Sequence, residues 1–146
     1  MTGNHAMKFV RMDAPMPYPP KRSAFTSIFW QELERGVFQT TQCDSCGRMS
    51  FPPKPFCPHC WSRTIHWSVL APQGVVYSAT RIHASPQLFR AESPYLVCIL
   101  DLQDGVRLAT KLLSQSPPAE VIGRRAELVV QRYADGPLFA AQLLEP

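Results

Sequence analysis

The sequence predicts a mainly β protein in which a short helix and a small metal-binding ribbon precede a five-stranded barrel. Two Cys-x-x-Cys pairs lie close together in the first half of the chain, and β-branched runs separated by Gly and Pro turn signals fill the second half. At 146 residues the chain is long enough for one barrel with a metal-stabilised module. The expected division is an arm, a helix, a zinc ribbon and a barrel, at residues 1–22, 23–36, 37–70 and 71–146.

The strongest motif is a set of four cysteines, Cys43, Cys46, Cys57 and Cys60. Two residues separate the members of each pair, and residues 47–56 separate the pairs. This spacing lets four thiolates close a tetrahedral shell around one ion, which is typical of a structural zinc site. An iron site with the same ligands is an alternative, and two disulfides are a second one that the paired spacing disfavours.

The segment before the cysteines divides into an arm and a helix. Four prolines between residues 15 and 20 favour extended backbone and exclude a helix, and disorder of the arm is an alternative. From Ser23 to Arg35 the apolar residues follow helical spacing, with Gly36 as the stop.

A surplus of apolar side chains on this helix and in a later loop predicts a partner interface. The residues expected there are Phe25, Phe29, Trp30, Leu88 and Phe89. The alternative is that the helix folds back onto the barrel and the loop covers the mouth of the barrel.

Five strands are predicted in the second half, near residues 75–83, 95–102, 106–113, 127–133 and 138–144. Asp104–Gly105 and Asp135–Gly136 predict the turns of two hairpins. One bent strand and two hairpins are too few for a sandwich, and an OB-fold barrel fits them best. Cys98 lies in an apolar strand, where a small buried side chain is expected.

Charge and chain composition disfavour several classes of function. The net charge is +4, and the residues after position 70 hold seven basic and seven acidic side chains, which is a weak field for nucleic acid. A zinc-ribbon and OB-fold protein that binds nucleic acid is therefore the more distant alternative function. No apolar run approaches the roughly 20 residues of a membrane span, and the first residues lack a signal peptide. We therefore expect a cytoplasmic protein, where thiolates stay reduced.

No catalytic group is predicted in this chain. The four histidines do not form a pattern with Ser, Asp or Glu that marks a nucleophile or a paired acid and base. The glycines form no loop that cradles a phosphate. The sequence therefore predicts a protein without enzymatic activity of its own.

The order of these parts resembles the acyl-CoA-associated OB-fold family, whose members have an N-terminal helix, a rubredoxin-like zinc ribbon and an OB-fold. The resemblance covers about residues 23–143 and rests on Phe29-Trp30, Cys43-x-x-Cys46-Gly47, Phe51-Pro52-Pro53, Cys57-Pro58-x-Cys60 and Gly74-x-Val76-Tyr77-Ser78-x-Thr80. It implies a non-catalytic zinc-binding accessory subunit of a hetero-oligomer. A thiolase is the first expected partner, and a thiolase-like aldolase or a hotdog-fold enoyl-CoA hydratase is the second.

The resemblance also implies coenzyme A or acyl-CoA as a ligand. We expect a groove between ribbon and barrel in which Arg48 and Lys54 contact phosphates. Arg81, His83 and Phe89 are expected to line the barrel side. The alternative is that these residues are ordinary solvated cations and a loop phenylalanine.

Overall fold

The computed structural model of the chain describes residues 6–84, 87 and 94–144. Its strands are β1 Lys8–Arg11, β2 Gln39–Cys43, β3 Met49–Ser50, β4 Ile65–Val69, β5 Gln73–Ile82, β6 Tyr95–Leu102, β7 Arg107–Leu112, β8 Arg125–Tyr133 and β9 Gly136–Leu143. Its helices are α1 Ser27–Glu34 and α2 Pro118–Val121.

Strands β5 to β9 close into the predicted five-stranded barrel. β5 pairs antiparallel with β6, and β6 pairs antiparallel with β7. β7 pairs parallel with β9 at Leu112 and Ala141, and β8 pairs antiparallel with both β9 and β5. This closed order, with α2 between β7 and β8, is the connectivity of an OB-fold. The mainly β prediction and the five-stranded OB-fold are confirmed.

Burial alternates strictly along β6, whereas β8 is buried at six consecutive residues, 126–131. In β6, Leu96, Cys98, Leu100 and Leu102 are buried, whereas the residues between them are partly exposed. Burial raises the pKa of the Cys98 thiol to about 11, so it stays protonated at neutral pH. Cys98 is therefore a small buried side chain in the core, as predicted.

The helix α1 is shorter than the predicted segment and ends as predicted. Residues 23–26 form a hydrogen-bonded turn before it, held by Ser27 N donating to Ser23 O at 3.0 Å. At the other end Gly36 has a φ of 84°, and its N–H donates to Leu33 O at 2.9 Å. Val37 N donates to Glu32 O at 2.9 Å, which completes a Schellman motif.

Part of the predicted arm is a strand that the sequence did not indicate. β1 pairs parallel with β8 from Lys8↔Val129 to Arg11↔Arg132, so it extends the barrel sheet beside β8. Past this strand the arm bends at residues 13–14 and 17–18 and stays against the barrel, with Met16 N donating to Asp135 Oδ1 at 2.8 Å. The expectation of extended backbone fits β1, whose pairing partner is far away in sequence.

The ribbon is a three-stranded sheet in the order β3–β2–β4. Its inner side packs against the barrel through an aromatic cluster in which the Phe38 and Phe139 ring centroids lie 5.4 Å apart. The ring centroid of Phe38 also lies 5.4 Å from that of Phe29 in α1 and 5.3 Å from that of Phe51. The helix, the ribbon and the barrel therefore share one hydrophobic core.

Candidate metal centre

The four cysteines predicted as metal ligands converge on one point at the tip of the ribbon. Their Sγ atoms all lie within 4.8 Å of one another, with Cys43 to Cys60 at 3.5 Å and Cys46 to Cys57 at 3.6 Å. Tetrahedral zinc with bonds of about 2.3 Å separates neighbouring sulfurs by roughly 3.8 Å. The donor set and its spacing fit a metal ion held by four thiolates.

Backbone N–H groups point at the sulfurs and favour their ionised form. Ser45 N and Cys46 N donate to Cys43 Sγ at 3.3 and 3.4 Å, and His59 N donates to Cys57 Sγ at 3.3 Å. The hydrogen bond from Cys46 contributes most to lowering the pKa of the Cys43 thiol, to about 6. The pKa of Cys57 is lowered as well, whereas the pKa of Cys60 is raised to about 11, against the backbone N–H of Ser62, by the Cys43 sulfur and by burial, so without an ion the four thiols do not ionise together.

Each Cys-x-x-Cys pair is followed by a residue with positive φ that closes the same kind of turn, and this residue differs between the two pairs. Gly47 follows the first pair with a φ of 78°, and its N–H donates to Cys43 O at 3.0 Å. Trp61 follows the second pair with a φ of 66°, and its N–H donates to Cys57 O at 2.8 Å. A non-glycine residue in this conformation costs about 1–2 kcal/mol, which glycine avoids.

Polar contacts tie the two metal-binding turns together outside the sulfur cluster. Ser45 Oγ donates to Ser62 Oγ at 3.0 Å, and His66 Nδ1 contacts Asp44 Oδ1. The four sulfurs form a closed shell with no place for a water or a substrate, so the centre is structural in kind. Its ion would hold the two turns in place, and zinc and iron both accept four thiolates.

A second candidate site is a cavity of about 290 Å³ between the ribbon and the barrel. It is lined by Met49, Ser50, Phe51, Lys54, Pro58, His59, Gly105, Val106 and Arg107. Of the residues expected to bind coenzyme A, Lys54 lines this cavity. Arg48 lies beside it, with Nη1 at 3.3 Å from His59 Nδ1.

Arg107 belongs to this cavity and was not among the predicted site residues. Its Nη2 donates to Asp101 Oδ2 at 3.0 Å, and its guanidinium lies 3.8 Å from the centre of the Tyr77 ring. The ion pair with Asp101 raises the pKa of Arg107. Asp101 lies three residues before Asp104 and Arg107 two residues after Gly105, so the predicted turn brings the two side chains near each other, and the register of β6 and β7 makes them face each other.

Arg81 and His83 are not brought together with Arg48 and Lys54. Val75 pairs with Asp101 near the cavity, whereas Arg81 lies six residues further along β5, about 20 Å at 3.3 Å per residue. Arg81 Nη2 instead donates to Ser116 O at 2.9 Å. The expected groove does not form as one site, because Lys54 and Arg81 lie in separate places. Phe89 lies outside the described residues.

The expected interface residues also fall in different environments. Phe29 is only 3% exposed and belongs to the shared core, so its assignment to a partner surface is corrected. Phe25 and Trp30 are half-buried, and the ring centroids of Phe25 and Trp67 lie 5.3 Å apart. Ile28 is the exposed apolar residue of α1, at 41%. Leu88 lies outside the described residues, as Phe89 does.

The helices in the described part of the chain are too short to cross a lipid bilayer.

A four-cysteine ribbon packed on a five-stranded barrel defines a zinc-ribbon and OB-fold protein. Residues 30–66 match the family described as the ChsH2 rubredoxin-like zinc ribbon domain, and residues 67–131 match the ChsH2 C-terminal OB-fold domain. The chain belongs to this ChsH2 family, which is the family that the motif order of the sequence indicated.

Relatives with known descriptions agree with this assignment. A DUF35 domain-containing scaffold protein of Methanocaldococcus jannaschii is 30% identical over 73% of this chain and 77% of its own length. A probable enoyl-CoA hydratase alpha subunit of Thermomonospora curvata is 37% identical over 66% of this chain, which spans only 30% of that protein. A solved structure described as the Ltp2-ChsH2(DUF35) aldolase superposes with a TM-score of 0.73 and 26% identity, covering 86% of this chain and 98% of the other.

Proposed function

We propose that this protein is a non-catalytic, metal-binding accessory subunit of an enzyme complex that processes acyl-CoA substrates. One observation carries the proposal: this chain superposes on 98% of the matched chain in the Ltp2-ChsH2(DUF35) aldolase. One relative is described as a hydratase alpha subunit and another as a scaffold protein. Both descriptions favour the same role. We place the protein in the cytoplasm, where reducing conditions keep thiolates available to a metal.

The partner we propose is a thiolase-like aldolase or an enoyl-CoA hydratase. Both reactions are named for relatives of this chain, whereas the thiolase expected first from the sequence has no such support among the relatives described above. The accessory subunit would support its partner by contact and contribute no reacting group.

Co-expression with an aldolase or a hydratase encoded beside this gene tests the role. We expect the two proteins to co-elute on size exclusion and the enzyme to be more active in the complex than alone. Trp30→Ala, at a half-buried surface position of α1, should weaken co-elution and leave the metal content unchanged. Candidate enzymes that elute alone and are fully active alone would contradict the proposal.

We further propose that coenzyme A phosphates bind at the cavity between ribbon and barrel. Lys54 and Arg107 line this cavity and Arg48 lies beside it, so three cations are close to one cleft, of which Arg107 is already paired with Asp101. Charge-assisted contacts with phosphate are among the stronger hydrogen bonds.

Calorimetry of the metal-loaded protein and of its complex with coenzyme A tests this location. Lys54→Met should weaken binding about ten- to 150-fold, because one charge-assisted hydrogen bond is worth about 1.5–3 kcal/mol. Arg81→Met is the matched control at the distant end of β5 and should leave the affinity unchanged. Equal effects of the two substitutions, or no heat with either preparation, would argue against the cavity.

A further inference from the structure

An exposed aromatic platform lies beside the metal centre. Phe56 and Trp61 stack with their ring planes 8° apart and their centroids at 5.5 Å. Together with Pro55 and Arg63 they line a groove of about 550 Å³. The Trp61 side chain is 73% exposed, and neither ring belongs to the hydrophobic core. These four residues are called the aromatic platform below.

Trp61 occupies a backbone position that favours glycine. The equivalent turn of the first cysteine pair has Gly47, with the same hydrogen bond and a similar positive φ. Tryptophan side chains usually contribute to stability by burying a large surface, but this ring remains mostly in solvent. The fold therefore gains little from a tryptophan here, and an unfavourable conformation kept at an exposed side chain points to a binding role.

The chemistry of the platform restricts what it binds. Grooves lined by aromatic rings and proline recognise extended polyproline-type segments, because proline rings pack flat on aromatic faces and arrive in a preformed conformation. Arg63 adds a positive charge at the edge of the groove, and none of the described acidic side chains forms a salt bridge with it. The complementary ligand group is a carboxylate, which a guanidinium binds through paired hydrogen bonds.

We propose that the aromatic platform is a docking site for an extended, proline-containing segment of a partner protein that carries a carboxylate beside its prolines. The prolines pack on Phe56 and Trp61, and the carboxylate pairs with Arg63. The site lies on the ribbon, shares no lining residue with the cavity at Lys54, and does not depend on which enzyme is the partner.

Fluorescence anisotropy with labelled peptides tests the proposal on the full-length, metal-loaded protein. The probe is a peptide with one Glu followed by five prolines, and the controls replace Glu by Lys or the prolines by glycines. We expect the Glu peptide to bind most tightly. Arg63→Met should reduce its affinity to that of the Lys peptide. Equal binding of all three peptides, or no binding, would overturn the proposal.

Trp61→Gly separates a binding role from a structural one. Glycine relieves the positive φ, so the melting temperature should stay the same or rise and the metal content should not change. Peptide affinity should fall at least about tenfold, as for an aromatic residue at the centre of an interface. A lower melting temperature with unchanged peptide affinity would show that Trp61 serves the fold and would overturn the proposal.

Two other occupants give distinguishable results. Binding of adenosine monophosphate that requires Trp61, without binding of the Glu peptide, would assign the platform to a planar base and overturn the proposal. A peptide of residues 13–20 of this chain, which also has an acid before several prolines, is the probe for a second copy. Tighter binding of that peptide together with self-association of the protein would replace the partner protein by a second copy.

Discussion

Cys57 shows at the scale of one residue how the ribbon depends on its ligands. It is buried, accepts a hydrogen bond from His59 N at 3.3 Å and lies 3.6 Å from Cys46 Sγ. In Cys57→Ser, a hydroxyl that does not ionise at neutral pH replaces a thiolate, and three ligands remain. We expect the purified variant to hold well under one equivalent of metal per chain, measured by atomic emission.

The matched control is Cys98→Ala, which changes the cysteine that lies in the barrel core. It should lower stability slightly and retain the same metal content as the unchanged protein. If Cys57→Ser keeps a full equivalent of metal, or Cys98→Ala loses it, the four-thiolate centre is wrong.

Gly74 is a residue at which a single methyl group does not fit. A Cβ added there would lie 2.2 Å from Asp101 O, a backbone atom on the neighbouring strand that cannot move aside by itself. We expect Gly74→Ala to lower the free energy of unfolding by about 3 kcal/mol or more, because the pairing of β5 with β6 must shift. Urea titration followed by circular dichroism measures the change.

Gly105→Ala is the control for this substitution. Gly105 has a positive φ of 76° but nothing within 4 Å of an added Cβ, so only backbone strain of about 1 kcal/mol is expected. A larger loss at Gly105 than at Gly74 would contradict the close approach of β5 and β6.

At the scale of elements, α1 packs on the core through one side and leaves its other side at the surface. Phe29 on its inner side packs against Phe38 and Phe139, whereas Ile28 on its outer side is exposed. We expect Phe29→Ala to lower the free energy of unfolding by about 3–5 kcal/mol. Ile28→Ala should change it by less than about 1 kcal/mol. Similar losses from the two substitutions, measured by chemical denaturation, would mean that α1 does not pack on the barrel through Phe29.

The strand β1 illustrates a different kind of element, one whose structure depends on a distant neighbour. Within the described residues, β1 pairs with β8 and with no other strand. Lys8 Nζ lies 2.9 Å from Glu127 Oε1. Glu127 is mostly buried and also accepts a hydrogen bond from Gln142 Nε2 at 3.1 Å. The ion pair therefore adds to the backbone pairing that holds the arm on the barrel.

At the scale of the whole molecule, the ribbon and the barrel share one core and should unfold together. Phe38 and Phe51 on the ribbon side contact Phe139 of β9, so loss of the ribbon uncovers the barrel. We expect removal of the metal by a chelator to lower the melting temperature of the whole chain in one cooperative transition. Near-UV circular dichroism, with the chelator and after zinc is restored, measures this effect.

Two separate transitions after chelation, with the barrel signal unchanged, would contradict a shared core. The control is the Cys57→Ser variant, in which the chelator should have no further effect because the metal is already absent.

The sequence by itself determined the features that depend on local chemistry. The spacing of four cysteines implied one metal centre, the nearly continuous apolar run at residues 95–102 implied β6, and Gly36 implied the end of α1. These features need only the neighbouring residues, because backbone conformation, side-chain period and ligand reach act over a few positions.

Only the tertiary structure decided which residues meet across long distances in the chain. It buried Phe29 in the core, paired β1 with β8, and separated Arg81 from Lys54 although both had been expected in one groove. Strand partners and helix faces are chosen by packing over more than a hundred residues, which no local pattern encodes. The exposure of Trp61 beside the metal centre is a feature of the same kind, because it depends on how the folded ribbon packs and not on the neighbouring residues in sequence.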